Sequence, residues 1–247
     1  MREQLAELKM KGALEVLDDF LEKKLDNGQF GTGILKAEIF HRKQNAATKR
    51  IKRASFPYAR EWEQIKQEWN PKIPFDAIRK FSSGDFLQGK KNLCFIGLPG
   101  VGKTHSLISI GRDLCRNQQN VLFFTATDLV TQLEEAKSKN ELSRFKDRIH
   151  RANLLIIDEL GFVPFSDNGA RLLFDVFTSR YQVGSIAIST NLAFEKWTQI
   201  FGALELTTAL IDRFTHNCEI FVFDGDSVRL RQAKDKMKEK PGQLKKK

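Results

Sequence analysis

Residues 97–104 read Gly-Leu-Pro-Gly-Val-Gly-Lys-Thr, a spacing of glycines, lysine and hydroxyl that fits the polyphosphate of a nucleoside triphosphate. Gly97, Gly100 and Gly102 lack the Cβ atoms that would stop the backbone curling its N–H groups around an anion. Pro99 and Val101 complete the loop, and a helix starting near Lys103 would aim its positive pole at the same phosphates. Lys103 would reach the β- and γ-phosphates, and the Thr104 hydroxyl would hold Mg²⁺. His105, the next residue, is counted with the loop, although a plain helix position also accounts for it.

A pair of acids decides between binding and hydrolysis. The apolar run Leu154-Leu155-Ile156-Ile157 ends in Asp158-Glu159, which fits a central strand of a parallel sheet buried on both faces. Ligands of open α/β sheets bind at the carboxyl ends of the strands. Asp158 would therefore emerge beside the loop and hold the metal shell. Glu159, one residue on, would polarise a water for attack on the γ-phosphate.

Two further residues extend the constellation. Asn191 closes the strand-like run Ser185–Thr190 and could hydrogen-bond the attacking water or the γ-phosphate, with a turn-forming Asn as the plain alternative. Arg213 ends a helical pattern just before the last strand. There it could neutralise transition-state charge on a neighbouring subunit's nucleotide, or simply pair with Asp212 on the surface.

With these residues in place the chain resembles the IstB family. The resemblance rests on Gly97–Thr104, Leu154–Pro164, Ser189-Thr190-Asn191-Leu192, Leu210–Phe214 and Gly225–Arg231. It is strong over residues 70–231 and loose before them. Members are AAA+ ATPases that assist the transposase of an insertion sequence, and they are related to the DnaC helicase loaders and the initiator DnaA. The resemblance implies ATP and Mg²⁺ as cofactors, Walker A at Gly97–Thr104, Walker B at Asp158 and Glu159, sensor 1 at Asn191 and an arginine finger at Arg213. It also implies duplex DNA, a transposase and further copies of the chain as partners. One departure is a missing helical lid after Phe223, which leaves a nucleotide contact by Arg229 or Arg231 open.

Positioning these residues needs a β/α alternation, and the strand runs at 92–96, 121–125, 154–158, 185–189 and 219–223 supply it. Alternating β and α with buried strands predicts a five-stranded parallel sheet flanked by helices. Residues 1–68 read as a small all-α domain for DNA binding or oligomerisation, with breaks near Asn27-Gly28 and Gly31-Thr32-Gly33. The prolines of Asn70-Pro71-Lys72-Ile73-Pro74 read as a linker. Residues 69–228 form the AAA+ ATPase domain, and 229–247 read as a basic, disordered tail. The stretch between Asp128 and Asn153 is long enough for two helices.

The net charge of +10 is concentrated. Residues 36–60 carry eight Lys/Arg against one acid, residues 229–247 nine against two, and the remainder is slightly acidic. Such clustering is the footprint of a phosphate-backbone binder. On a helix Arg42, Lys43, Lys49, Arg50 and Arg53 share a face about 120° wide, beside an apolar stripe of Phe40, Ala47, Ile51 and Ala54. The related initiator-like proteins carry an extra helix against DNA in this stretch, and the likeness adds Lys137, Lys139, Arg144, Lys146 and Arg148 as DNA candidates, though interleaved acids fit a solvated helix as well. Cys94, Cys115 and Cys218 lack metal or redox spacing and read as reduced core residues. No run approaches a membrane span, and the charged opening Met1–Glu7 is unlike a signal peptide, so a cytoplasmic protein is expected. The competing readings are a helicase loader acting on single-stranded DNA and a small-metabolite phosphotransferase; the second leaves Arg213 and the basic helix without a role.

Overall fold

The computed structural model describes residues 1–23 and 25–239. Three helices open the chain: α1 (Arg2–Glu7), α2 (Lys11–Glu22) and α3 (Asn27–Ala54). A strap anchored by the buried side chains of Trp62, Asn70 and Ile73 follows and leads to α4 (Phe75–Arg79), β1 (Asn92–Gly97) and α5 (Lys103–Arg116). Then come β2 (Val121–Thr125), α6 (Ala126–Ser138), α7 (Leu142–His150), β3 (Leu154–Leu160), α8 (Asp167–Arg180) and β4 (Ser185–Thr190). The chain continues through α9 (Thr198–Phe201), α10 (Leu204–Thr215), β5 (Cys218–Phe223) and α11 (Val228–Glu239).

The strands pair in parallel in the order β2-β3-β4-β1-β5. Side chains alternate between the two faces of a strand, and β3 shows it plainly. Leu154 and Ile156 join the core beneath α4, α5 and the end of α3, while Leu155 and Ile157 join the core beneath α6, α8 and α10. Burial on both faces is why β3 opens as an unbroken apolar run. Helix starts are marked by capping side chains. Thr125 accepts from Asp128 N–H at 3.1 Å and Ser166 from Gly169 N–H at 3.0 Å, opening α6 and α8.

The N-terminal region departs from the sequence expectation. A helix boundary does fall beside Asn27-Gly28, where α2 has ended at Glu22 and α3 begins at Asn27, capped by Asp26; Gly31-Thr32-Gly33, however, breaks nothing, and α3 runs through it. Two glycines here serve close packing. A Cβ on Gly12 of α2 would lie 2.6 Å from the Ala37 carbonyl oxygen, and one on Gly33 would lie 2.5 Å from the Phe20 ring. Glu38 of α3 is buried and accepts from Gly12 N–H at 2.9 Å and Ala13 N–H at 3.3 Å. It therefore caps α2 across the helix pair. The far end of α3 leaves this arm and enters the sheet domain, where Ala54 is fully buried. Ala47 and Ile51 pack as the apolar stripe requires, but Phe40 is exposed and falls outside it.

Two other expectations are corrected. Asn70–Pro74 is non-helical, as its prolines demand, but it folds into a turn closed by Ile73 N–H donating to Asn70 O at 3.1 Å, and it is no free linker. Asn70 and Ile73 are buried, and the Asn70 side chain donates to the carbonyls of Val101 and Asp226 and accepts from Asp226 N–H. Residues 229–239 are helical rather than disordered, because α11 is seeded on the phosphate loop: Val228 N–H donates to Gly100 O at 3.0 Å. The lysines at 245–247 lie outside the described residues. Among the described residues no helix is long and apolar enough to cross a membrane, and no cluster of three or more His, Cys, Asp or Glu could hold a metal ion.

Candidate functional site

A pocket of ≈ 370 Å³ opens at the carboxyl end of the sheet, and the loop after β1 forms its floor. Gly100 and Gly102 sit at φ +84° and +113°, conformations that side chains resist. Gly102 caps α5, so the helix pole and the free N–H groups at its start face the pocket. Pro99 through His105 all line it. Gly97 instead meets β5, where a Cβ would lie 2.3 Å from the Phe223 carbonyl oxygen.

Lys103 is buried, and its Nζ donates to the carbonyls of Gly97 and Leu98 at 2.7 and 2.8 Å. Burial, against the opposing charges of Asp158 and Glu159 and with a smaller push from Arg229, lowers its pKa to about 8. An anionic phosphate at Nζ would supply the countercharge that burial removes. Thr104 Oγ1 donates to Asp158 Oδ1 at 3.0 Å. These two hard oxygen donors fit a magnesium ion completed by water and phosphate. Burial raises the Asp158 pKa, against the hydrogen bonds from Ser189 and Thr104.

The strand carrying the acids is not regular. Ile157 pairs with Ile188 and Leu160 with Thr190, so β3 holds one residue more than β4 between these pairs. The extra residue forms a bulge, which re-aims side chains at a strand end. Glu159 absorbs it in the left-handed region at φ +59° and is exposed to the pocket, while Asp158 stays buried. Ser189, which the sequence reading passed over, holds both acids: its hydroxyl donates to Asp158 Oδ1 and accepts from Glu159 N–H at 3.0 Å. Thr190 pins the same bulge by donating to Leu160 O at 2.8 Å. A polar pair Ser-Thr inside an otherwise apolar strand was the signal for both.

Asn191 lines the pocket beside them, as expected. His105 does too, but its ring is engaged by the strap, with Nε2–H donating to the Glu61 carbonyl at 2.8 Å; burial lowers its pKa. Glu61 itself binds Arg112 and Arg116 of α5 at 2.7 Å. The strap closes the pocket with Ile65 and Trp69, and α11 closes it with Val228, Arg229 and Gln232. Of the two arginines left open, Arg229 is therefore the one at the pocket; Arg231 lines a separate shallow cleft.

Arg213 lies elsewhere. It is exposed on α10, near Asn92 at the amino end of β1 and thus at the opposite end of the sheet from the pocket. It makes no ion pair with Asp212 among the described residues. The DNA candidates are also redistributed. Arg42 pairs with Glu38, Lys139 with Glu135 and Lys146 with Asp175, while Lys137 donates to Asn168. Lys43 and Lys49 are exposed on α3.

This geometry is that of a nucleoside-triphosphate site, and comparison with known proteins identifies its family. The IstB-like ATP-binding proteins match residues 3–236. The chain belongs to that family. It is 34% identical to the ATP-binding protein of insertion sequence IS5376 from Geobacillus stearothermophilus, over 81% of this chain and 79% of that protein. It is 32% identical to the IS21 ATP-binding protein of Pseudomonas aeruginosa, over 92% of this chain and 88% of that one. Among solved structures, the DnaC helicase loader superposes with a TM-score of 0.53 at 22% identity, covering 71% of this chain and 99% of that chain. Nucleotide-bound DnaA from Aquifex aeolicus gives 0.54 at 19% identity, covering 74% and 55%. These two likenesses are of fold, the AAA+ P-loop fold. This IstB-like chain is accordingly a P-loop ATPase.

Proposed function

We propose that this ATPase assembles on duplex DNA when ATP is bound and recruits or activates a transposase. The observation that carries the proposal is the extent of the match: relatives named for insertion sequences align through the basic N-terminal arm as well as the ATPase body. An enzyme acting on a small metabolite would leave that arm without a task. In this reading Thr104 and Asp158 hold Mg²⁺, which supplies charge neutralisation at the phosphates. Lys103 binds the β- and γ-phosphates, Glu159 takes the proton of the attacking water, and Asn191 orients that water. Arg213 faces away from its own pocket and acts on a neighbour's. Assembly is supported by the apolar rim beside the pocket, where Leu98, Phe162 and Val163 are exposed. Access to ATP and chromosomal DNA places the protein in the cytoplasm.

Electron microscopy of the protein with a long duplex, with and without ATP, tests this reading. Ordered multimers on duplex with ATP are expected, and fewer without it. Monomers under every condition, or assembly on single-stranded DNA in preference to duplex, overturn it, the latter in favour of a helicase loader. The trans role of Arg213 has its own test. Mixing Arg213→Ala with Lys103→Ala should restore hydrolysis at interfaces that join an intact loop to an intact arginine. Co-assembly of the two variants without any rescue removes Arg213 from that role.

A further inference from the structure

At the amino end of the sheet, opposite the nucleotide pocket, a cleft of ≈ 210 Å³ lies between the turn before β1, the end of α8 and the end of α10. Lys90, Arg180 and Arg213 line it with His216, and no aspartate or glutamate does. Arg180 is buried; its guanidinium donates to the backbone carbonyls of Ile149, Ala152 and Ser185, and its Nε has no partner. No acid offsets its charge, and burial lowers its pKa to about 10. Lys90 and Arg213 are exposed. Among the described residues neither makes an ion pair, whereas Lys91, one residue on, is held by Glu219 at 3.1 Å.

Lys90 and Arg213 come from distant stretches of sequence, and the backbone ties their turns together. The Asn217 side chain donates to Gly89 O at 2.7 Å and the Asn92 side chain to Phe214 O at 2.9 Å. Asn92 N–H donates to Asn217 O at 2.7 Å. Lys90 itself sits in the left-handed region at φ +52°, which glycine adopts without strain and lysine does not. The turn therefore does not explain the lysine. Cations gathered without acids repel one another, and an anion among them would remove that cost.

The occupant that fits is another copy of this chain with ATP bound. Even with Mg²⁺ present, the triphosphate, Asp158 and Glu159 leave the face around the nucleotide pocket negative. Apolar surface flanks both partners of such a contact. Leu98, Phe162 and Val163 are exposed beside the pocket. Leu206 is exposed two turns before Arg213 and so on the same face of α10.

We propose that Lys90 is a further catalytic residue acting in trans, contacting with Arg213 the γ-phosphate of ATP held by the neighbouring subunit. The proposal rests on the trans reading of Arg213 above and adds the turn before β1 to the neighbour's site. In hydrolysis the water oxygen bonds to the γ-phosphorus while the bond to the β,γ-bridging oxygen breaks. Glu159 of the subunit holding the ATP takes the water proton, and ADP leaves with the bridging electron pair. Negative charge shifts onto that oxygen, and two cations held in place beforehand neutralise it without reorganising.

The test uses the full chain. Lys90→Ala should bind ATP and assemble as the parent does, because its own pocket lies at the other end of the sheet. Its hydrolysis should fall roughly tenfold or more. Lys91→Ala, which removes the same charge one residue on, should hydrolyse ATP like the parent. Mixtures locate the action. Lys90→Ala mixed with Lys103→Ala should regain hydrolysis, because the second variant offers an intact Lys90 to the intact loop of the first. Lys90→Ala mixed with Arg213→Ala should regain none, because each neighbour then offers only one of the two cations.

Parent-like hydrolysis in Lys90→Ala beside an impaired Arg213→Ala overturns the proposal and leaves the role of the arginine standing. Rescue in the mixture of those two variants also overturns it, since Lys90 would then act on its own subunit. Equal losses in Lys90→Ala and Lys91→Ala overturn it as an effect of bulk charge. Loss of assembly in Lys90→Ala does so too, and makes the lysine a docking contact. Co-assembly of Arg213→Ala with Lys103→Ala without rescue removes the trans reading of both residues.

Discussion

The N-terminal arm and the ATPase body are held together by different physics. The body buries a sheet on both faces, with Leu93, Phe95, Leu154 and Ile156 on one side and Cys94, Leu155, Ile157 and Ile188 on the other. The arm has one small cluster, Leu5, Ala13, Leu17 and Ile34, and relies on a buried carboxylate cap and two glycine contacts for its geometry. A body built this way holds phosphate ligands in fixed positions. The arm is a thin helical pair whose stability is close to the margin. What joins them is α3, 28 residues long and so about 42 Å from end to end. It transmits the position of one region to the other without a hinge.

The contrast can be broken or sharpened by substitution. The largest effect belongs to the body's chemistry. Glu159→Gln should keep nucleotide binding and lose turnover by roughly 10²–10⁴, read from steady-state hydrolysis beside equilibrium nucleotide binding. Parent-like turnover would remove Glu159 from the base role. Next come the cores. Leu155→Ala should cost about 4 kcal/mol and unfold the whole chain cooperatively. Leu17→Ala should cost about 2 kcal/mol and loosen the arm alone, with hydrolysis retained. Hydrogen exchange that resolves the two regions decides it, and a single cooperative loss in both variants would erase the distinction.

Glu38→Ala removes the cross-helix cap and leaves two N–H groups of α2 without a partner. A loss of about 2 kcal/mol in the arm is expected. Burial opposes ionisation of Glu38, but the hydrogen bonds from Arg42 and the Ala13 and Gly12 N–H groups hold its pKa below the usual glutamate value. Its contribution is therefore present at neutral pH and lost as pH falls through the lowered folded pKa. Thermal melting in acid should then separate parent and variant less than at pH 7. Ser189→Ala tests the hydroxyl that holds both acids. A drop of about tenfold in kcat with the fold intact is expected, and restoration by Ser189→Thr would point to the hydroxyl rather than to packing.

The smallest effect concerns the strap. Hydrogen bonds from Arg116 and then Arg112, the first partly exposed, outweigh burial and lower the Glu61 pKa from its ordinary 4.5. Stability from this network is complete above that value and lost as pH falls through the folded one. Glu61→Gln should cost about 1 kcal/mol at neutral pH and flatten the acid limb of a stability profile. An unchanged acid limb would assign the strap's attachment to Asn70 and Ile73 instead.

Much of the body was legible in the residues alone. All five strands fall where short runs of β-formers predict them, including β5, which lies at the sheet edge with most of its side chains exposed. The phosphate loop, Glu159 and Asn191 meet at one pocket, with Asp158 buried just behind it against Thr104 and Ser189, because each ends or follows a strand at its carboxyl end. The arm was less legible. Glycines at 31 and 33 read as a break, since local propensity cannot register that Gly33 faces Phe20 across a helix pair. The C-terminal helix was missed because its basic, polar composition matches that of a solvated tail. Its start is set by the phosphate loop, more than a hundred residues earlier.

The sequence by itself determined the chemistry: glycines that free N–H groups, a lysine and hydroxyl for phosphate and metal, and acids at a buried strand's end. Those choices depend on residue type and short spacing, which the chain carries locally. Tertiary structure decided the rest. It placed Glu159 on a bulge gripped by Ser189, set Arg229 rather than Arg231 at the pocket, and turned Arg213 to the far end of the sheet. It also gathered Arg50, Arg53, Arg144, Arg148 and Arg151 around one groove while pairing off Arg42, Lys139 and Lys146. Whether a charged side chain finds a counterion depends on which element packs beside it, and that is a property of the assembled layers rather than of any one segment.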